Sequence, residues 1–408
     1  MNTLDPPRAV GESLLESSMN KHAPPSPSNG SLTLAARRIV LADREIAGTV
    51  HVDGGGITGI EEDVFAPGAI DCGDDLLIPG LVELHNDHLE PHFSPRPKVN
   101  WDAFSAVFSY DAQIAASGIT TVLDSLRVGR DFDNAKGAGS ALFELGQSIA
   151  RARSTGLLRA DHYTHLRCEI PCEGMVDDAR RYLASFDVRL MSLMDHTPGE
   201  RQFRDEEKLR NYYRGKTTKT EAELDDYFAE RKRHAKLFAA ANKDGIVALA
   251  RANGIAMASH DDTTEDHVAE SLALGVAVAE FPTTIEAAAA SHGAGLSVLM
   301  GAPNVLLGGS HSGNVSARHL AEEGLLDILS SDYVPASLLA GAMALADVPA
   351  VGGIPGAIRL VTKTPAAVAG FTDRGEIAAG KRADFLRVAL ADGYPVVREV
   401  YRRGKRVA

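Results

Sequence analysis

The sequence predicts an α/β protein, a (β/α)8 barrel of the TIM type joined to a small β-rich domain built from both chain ends. Three observations predict it. Between residues 79 and 374, apolar runs of strand length alternate with longer amphipathic stretches, as expected for parallel strands joined by helices. The flanks, 31–78 and 375–408, share another texture, with short β-prone runs broken by Gly, Asp and Pro. Residue types suited to metal and proton chemistry fall where the apolar runs finish, the face on which barrel enzymes carry their sites.

Composition bounds the function. The 408 residues are 44% hydrophobic and 24% charged, ordinary values for a globular protein with a large core. A net charge of −13 disfavours nucleic acid and anionic membrane as partners and leaves a small molecule as the expected one. The cysteines, Cys72, Cys168 and Cys172, form no CxxC pair or disulfide framework, which points to a reducing cytoplasm. No apolar run reaches membrane-spanning length, and the first thirty residues lack the layout of a secretory signal. Self-association into a homo-oligomer stays open.

Taken in order, residues 1–30 are rich in Pro, Ser and Asn and are expected to be a disordered extension. Segment 31–78 reads as short strands, and so does the C-terminal "GEIAAGKRADFLRVALADGYPVVREVYRRGKRVA". The expected barrel strands are "LLIPGLVELH", "GITTVLDSL", "ADHYTHLRCE", "VRLMSLMDH", "GIAMASHDD", "GVAVAEFP", "NVLLGGSH" and "LDILSSDY". The intervening helices include "AFSAVFSYDAQIAAS", "SALFELGQSIARARS", "EAELDDYFAERKRHAKLFAAANK" and "PASLLAGAMALA".

The strand ends carry His85 and Asp87, then Arg167, Cys168 and Glu169, then Asp195 and His196, then His260 with Asp261 and Asp262, then His311, and last Asp332. Each has a plain structural explanation. A single strand-end histidine is more often a cap than a ligand, and Asp195 or Asp332 could cap the helix that follows. Cys168 reads as a packed small residue, and His162, His165, His234 and His319 as structural. The set together reads otherwise. Side chains two apart on a strand share a face, so His85 and Asp87 can bind one ion. Imidazole and carboxylate are ligands for Zn²⁺ or Mn²⁺. One or two divalent ions, Zn²⁺ foremost, would gather His85, Asp87, Glu169, His196, His260 and Asp332.

On these motifs the chain resembles the amidohydrolase superfamily of metal-dependent barrel hydrolases. That resemblance implies a first-strand HxH, a bridging Lys or Glu, histidines on strands five and six, an Asp on strand eight that handles the proton of the attacking water (here Asp332), and a flanking domain ending in runs such as "GEIAAGKRADF". Asp87 departs from the pattern, standing where many members have the second histidine. The runs "PGLVELHNDHLEPHFSPRP", "HTPGERQF" and "SSDYVPASLL" are similar to a branch that acts on a phosphorylated ribose phosphonate in phosphonate utilisation, releasing pyrophosphate. His88 is assigned no ligand role. Phosphoanhydride hydrolysis needs cations, and Arg96, Arg127, Arg167, Arg201 and Arg204, with His311, are the candidates for binding substrate. A carbon–nitrogen hydrolase or deaminase, and a non-catalytic scaffold subunit, are the alternatives.

Overall fold

The computed structural model describes residues 30–96, 99–129, 138–201, 206–216, 219–310 and 313–408. The expected N-terminal extension, Arg204 and His311 therefore fall outside the described residues, apart from Gly30. The chain opens with β1 (Leu32–Val40), β2 (Glu45–Asp53), β3 (Gly56–Glu62), β4 (Ile70–Asp71) and β5 (Leu76–Pro79). Eight barrel strands follow: β6 (Leu81–Asn86), β7 (Ile119–Val128), β8 (Asp161–Glu169), β9 (Val188–Met194), β10 (Ala256–His260), β11 (Val278–Glu280), β12 (Ser297–Gly301) and β13 (Ile328–Ser330). The chain finishes with β14 (Phe385–Ala391), β15 (Tyr394–Arg402) and β16 (Lys405–Arg406).

The flanking sheet runs β16-β15-β14-β5-β1-β2-β3, with β4 on β1, so a C-terminal block of three strands joins the N-terminal strands at β14 and β5 within one hydrogen-bonded layer. Its core is Leu34, Ile39, Val50, Ile57, Leu77, Phe385 and Tyr401. The crossing into the barrel needs Gly80. A Cβ there would lie 2.3 Å from Thr120 Oγ1, and the Gly80 N–H donates to Asp384 O at 2.9 Å. Asp161, the first residue of β8, ties the two layers together. It accepts from Arg374 at 3.0 Å, Arg382 at 2.6 Å and Arg402 at 2.5 Å, all beyond the last barrel strand.

In the barrel, β6 to β13 lie side by side in chain order, every pair parallel. Alternation along each strand turns Val82, Leu84, Leu123, Leu190, Ala258, Val278, Leu299 and Ile328 inward, and Ala366, Ala369 and Phe371 join that same cluster. Closure occurs at the mouth. Asp87 N–H donates to Asp332 O at 2.8 Å, and Asp332 N–H donates to His85 O at 3.1 Å.

One expected strand is wrong, and the first, "LLIPGLVELH", is two: Leu76–Pro79 lies in the flanking sheet and Leu81–Asn86 in the barrel. The seventh is Ser297–Gly301, "SVLMG", not "NVLLGGSH". Pro303 starts a short helix over Ala302–Leu306, and Leu306 and Leu307 are exposed, so that apolar run belongs to the rim and not to the barrel wall. The helix expected to end near residue 243 continues to Asn253, starting from a Thr220/Glu223 capping box and stopping at Gly254 in the left-handed region. With the helix Glu206–Lys216 it forms an excursion between β9 and β10 that has its own core of Leu209, Tyr213, Leu224, Tyr227 and Phe228.

Candidate metal centre

The C-terminal ends of the strands open onto a cavity of about 360 Å³ lined by His85, Asp87, Arg167, His196, His260, Asp261, Phe281 and Asp332, among others. Two sets of ligand-type atoms lie close enough to share an ion: His85, Asp87 and Asp332, and His196, His260 and Asp261. In a third, His85, His165 and Glu280, the Glu280 carboxylate is already engaged by His85. There His165 places Nδ1 3.0 Å from Leu84 O and Nε2 3.0 Å from Ser192 Oγ, in keeping with a structural role.

The geometry sets each ring. His85 Nδ1 lies 3.0 Å from Glu280 Oε1, and His260 Nδ1 lies 3.3 Å from Glu280 Oε2. A carboxylate only accepts, so the proton sits on each Nδ1 and each Nε2 keeps a bare lone pair. Those lone pairs face carboxyl oxygens, Asp87 Oδ1 at 3.7 Å from His85 and Asp261 Oδ2 at 3.5 Å from His260. Asp87 Oδ1 is buried and has no hydrogen-bond partner among the described residues. At the His85–Asp87 gap an acceptor faces an acceptor, which calls for a cation between them, and both donor sets fit divalent ions.

The electrostatics agree. Burial first, with Arg167 nearby, lowers His85 to about 3, and burial likewise takes His260 to about 3; both are neutral at physiological pH, as ligands must be. Burial, then the neighbouring Asp87 carboxylate, raises Asp332 to about 7, and burial raises Asp261 to about 8. Burial also opposes ionisation of Asp87, but the Arg167 guanidinium and His85 outweigh it and hold Asp87 below the usual carboxylate range. Carboxylates crowded this closely repel, and a bound cation removes the repulsion.

Glu169 sits beside these sets and belongs to neither. Its carboxylate accepts from Arg127 at 2.7 Å, lies 2.6 Å from His196 Nδ1, and has Arg231 of the long helix at 3.6 Å. It also accepts the His196 N–H at 3.0 Å, so in this geometry it aims the imidazole, whose Nε2 lies 3.9 Å from Asp261 Oδ2. Counted around the closed barrel, Glu169, His196 and His260 end or follow strands three, four and five, so the histidines come one strand earlier than the superfamily pattern implies.

The expected substrate-binding arginines are dispersed. Arg167 lines the cavity and pairs with Asp87. Arg127 is engaged with Glu169 at its edge, Arg201 pairs with the buried Asp262, and Arg96 is exposed and outside the lining. Asp332 is no helix cap, since the next helix is capped at Ala336; Asp195 caps only a local turn, accepting from Thr197 N–H at 3.0 Å. Glu280 was missed by sequence reasoning, and Asp261 was named at its strand end but left out of the ligand set. Glu280 could have been found as an acid closing the otherwise apolar "GVAVAE", and Asp261 could have joined the ligand set as the buried acid next to a strand-end histidine.

A closed eight-stranded barrel, a flanking sheet of strands from both chain ends and clustered His and Asp at the mouth give the fold of the amidohydrolases with candidate metal sites on its catalytic face. Solved structures share this fold at low identity. N-acetyl-D-glucosamine-6-phosphate deacetylase from Mycobacterium smegmatis matches at 17% identity and TM-score 0.61, over 92% of this chain and 100% of its own. Dihydropyrimidinase from Brevibacillus agri matches at 12% identity and TM-score 0.57, over 92% and 94%. No family model matches the chain. The alpha-D-ribose 1-methylphosphonate 5-triphosphate diphosphatase of Escherichia coli (strain K12) is 46% identical over 375 residues, spanning 91% of this chain and 98% of that protein. The chain belongs to that diphosphatase family.

Proposed function

We propose that this protein hydrolyses alpha-D-ribose 1-methylphosphonate 5-triphosphate to the 5-phosphate and pyrophosphate, working in the cytoplasm with Zn²⁺ as its ion and Mn²⁺ as the alternative. The observation that carries the reading is the pair of ligand-lined gaps at the barrel mouth, in a chain 46% identical to a diphosphatase of that substrate. His85, Asp87 and Asp332 would hold one ion, and His196 and His260, joined by Asp261, a second. When bound, such ions supply Lewis acidity toward phosphoryl oxygens and lower the pKa of water.

The chain's own residues do the rest. Asp332 Oδ faces the cavity beside Gly301 and takes the proton of the attacking water, while Asp87 is kept ionised by Arg167. The Arg167 guanidinium offers fixed positive charge to the triphosphate. Glu169, steadied by Arg127 and Arg231, keeps His196 turned toward Asp261. In a cavity of this size the sugar is held by the rim, where Asn304, Ser310, Asn314 and Tyr333 lie.

Product analysis tests the proposal. Incubation with the 5-triphosphate should release pyrophosphate and no orthophosphate; orthophosphate release, or turnover of cyclic amides in its place, would overturn it. His85→Ala combined with His196→Ala should lower bound metal by elemental analysis, and undiminished metal would remove the ligand assignment.

A further inference from the structure

The geometry points to Glu280 as a positioning residue that fixes the tautomers of His85 and His260 together, so that one carboxylate orients a ligand of each metal cluster. This rests on the two-cluster reading above. Glu280 closes β11 at full burial, and its two oxygens are divided between the rings: Oε1 lies 3.0 Å from His85 Nδ1 and Oε2 lies 3.3 Å from His260 Nδ1. The rings stack with centroids 5.8 Å apart and 16° between planes, and on each the other nitrogen, Nε2, faces a carboxylate, Asp87 for His85 and Asp261 for His260.

The next residue completes the clamp. The Phe281 ring meets His85 edge-on at 5.0 Å and His260 at 5.4 Å. Phe281 adopts φ 54°, a left-handed conformation that an aromatic residue seldom takes. Asp261 and Asp332, just past their own barrel strands, share that conformation, and at Phe281 it accompanies an aromatic wall against both rings. With Glu280 fixing protonation and Phe281 fixing rotation, each Nε2 lone pair is aimed before an ion arrives.

Glutamine separates this from simple packing. Glu280→Gln keeps the shape but replaces one acceptor oxygen by an NH₂ group that only donates. Only one imidazole can then keep its Nδ1 proton; the other must carry its proton on Nε2 and cannot ligate through that atom. The test uses the full-length protein labelled with ¹⁵N-histidine and stripped of metal, with His85 and His260 identified by single substitution. Long-range ¹H–¹⁵N spectra should show both rings protonated at Nδ1 in the wild type and one ring switched in Glu280→Gln. Zinc titration against a chelating dye should show one site weakened by about 10- to 100-fold.

A wild-type ring protonated at Nε2 would overturn the inference without any variant, so the result stands even if Glu280→Gln fails to fold. Unchanged tautomers with zinc affinity within about twofold of wild type would also overturn it. If the wild type takes up no zinc, manganese or other divalent ion, the metal reading falls and this inference with it. If the wild type binds and Glu280→Gln binds equally, only the role of Glu280 is lost.

Discussion

At the scale of single residues, Asp332 makes the sharpest prediction. It is aimed at the cavity, lies among the ligand-type atoms and caps no helix. Asp332→Asn should therefore fold normally and hydrolyse about 10²- to 10⁴-fold more slowly at matched metal content, because an amide cannot accept the proton. Rates within a few-fold of wild type would show a merely structural aspartate. His162 yields a pH prediction away from the cavity. Burial opposes its charge, yet Asp124 at 3.0 Å and Asp111 at 3.3 Å raise it to about 9. A folded pKa above the ordinary 6.5 stabilises the fold fully below pH 6.5, and this contribution is lost as pH rises through 9. Denaturant midpoints should fall over that window, and His162→Gln should flatten the fall; parallel curves would contradict it. His85, Asp87, His196, His260 and Asp332 were noticed in the sequence because they follow apolar runs directly. Glu280 was not, because the run was read on through "GVAVAEFP", which leaves the acid inside it, and its partners lie far away in sequence.

Elements carry a different kind of information. Seven of the eight barrel strands were legible from apolar runs of the right length, and the seventh failed because "SVLM" and "NVLL" are equally apolar a few residues apart. Only Pro303, suited to a helix start, and the burial of the first run distinguish them, and burial is not local information. The long helix was found but cut short, since the small residues between Ala239 and Ala250 weaken its periodicity. At the opposite end of β8 from Glu169, Asp161 holds Arg374, Arg382 and Arg402. These guanidiniums, with burial as the opposing influence, keep its carboxyl far below the ordinary range. Asp161→Asn leaves buried arginines short of a counter-charge and should cost about 3–5 kcal/mol in urea unfolding while sparing turnover under folding conditions. A loss below about 1 kcal/mol would mean that the cluster is not what fastens the flanking sheet.

For the molecule as a whole, the fold class could be read because both ends share a strand texture that the middle lacks. The substrate could be anticipated only through resemblance, since many chemistries use this barrel. Ions bound by the native state alone stabilise by mass action, so stripping them with a chelator should lower the melting temperature, and excess Zn²⁺ should restore it. A melting temperature indifferent to chelation would mean that the clusters are empty or contribute nothing.

Barrel closure gives the site a date in the life of the chain. Asp87 and Asp332 are neighbours only because the first and last barrel strands join at that point, through backbone hydrogen bonds on either side of Asn86. Most of the sequence must be made and wound before they meet, and that long loop must be closed against its entropy. A ribosome-bound chain halted before β13 would own His85 and Asp87 but not the third member of their trio, and so could not assemble it. Ion capture at that trio thus becomes a clock for the final step of folding: uptake should lag behind the growth of helical signal during refolding and coincide with the closing of the ring.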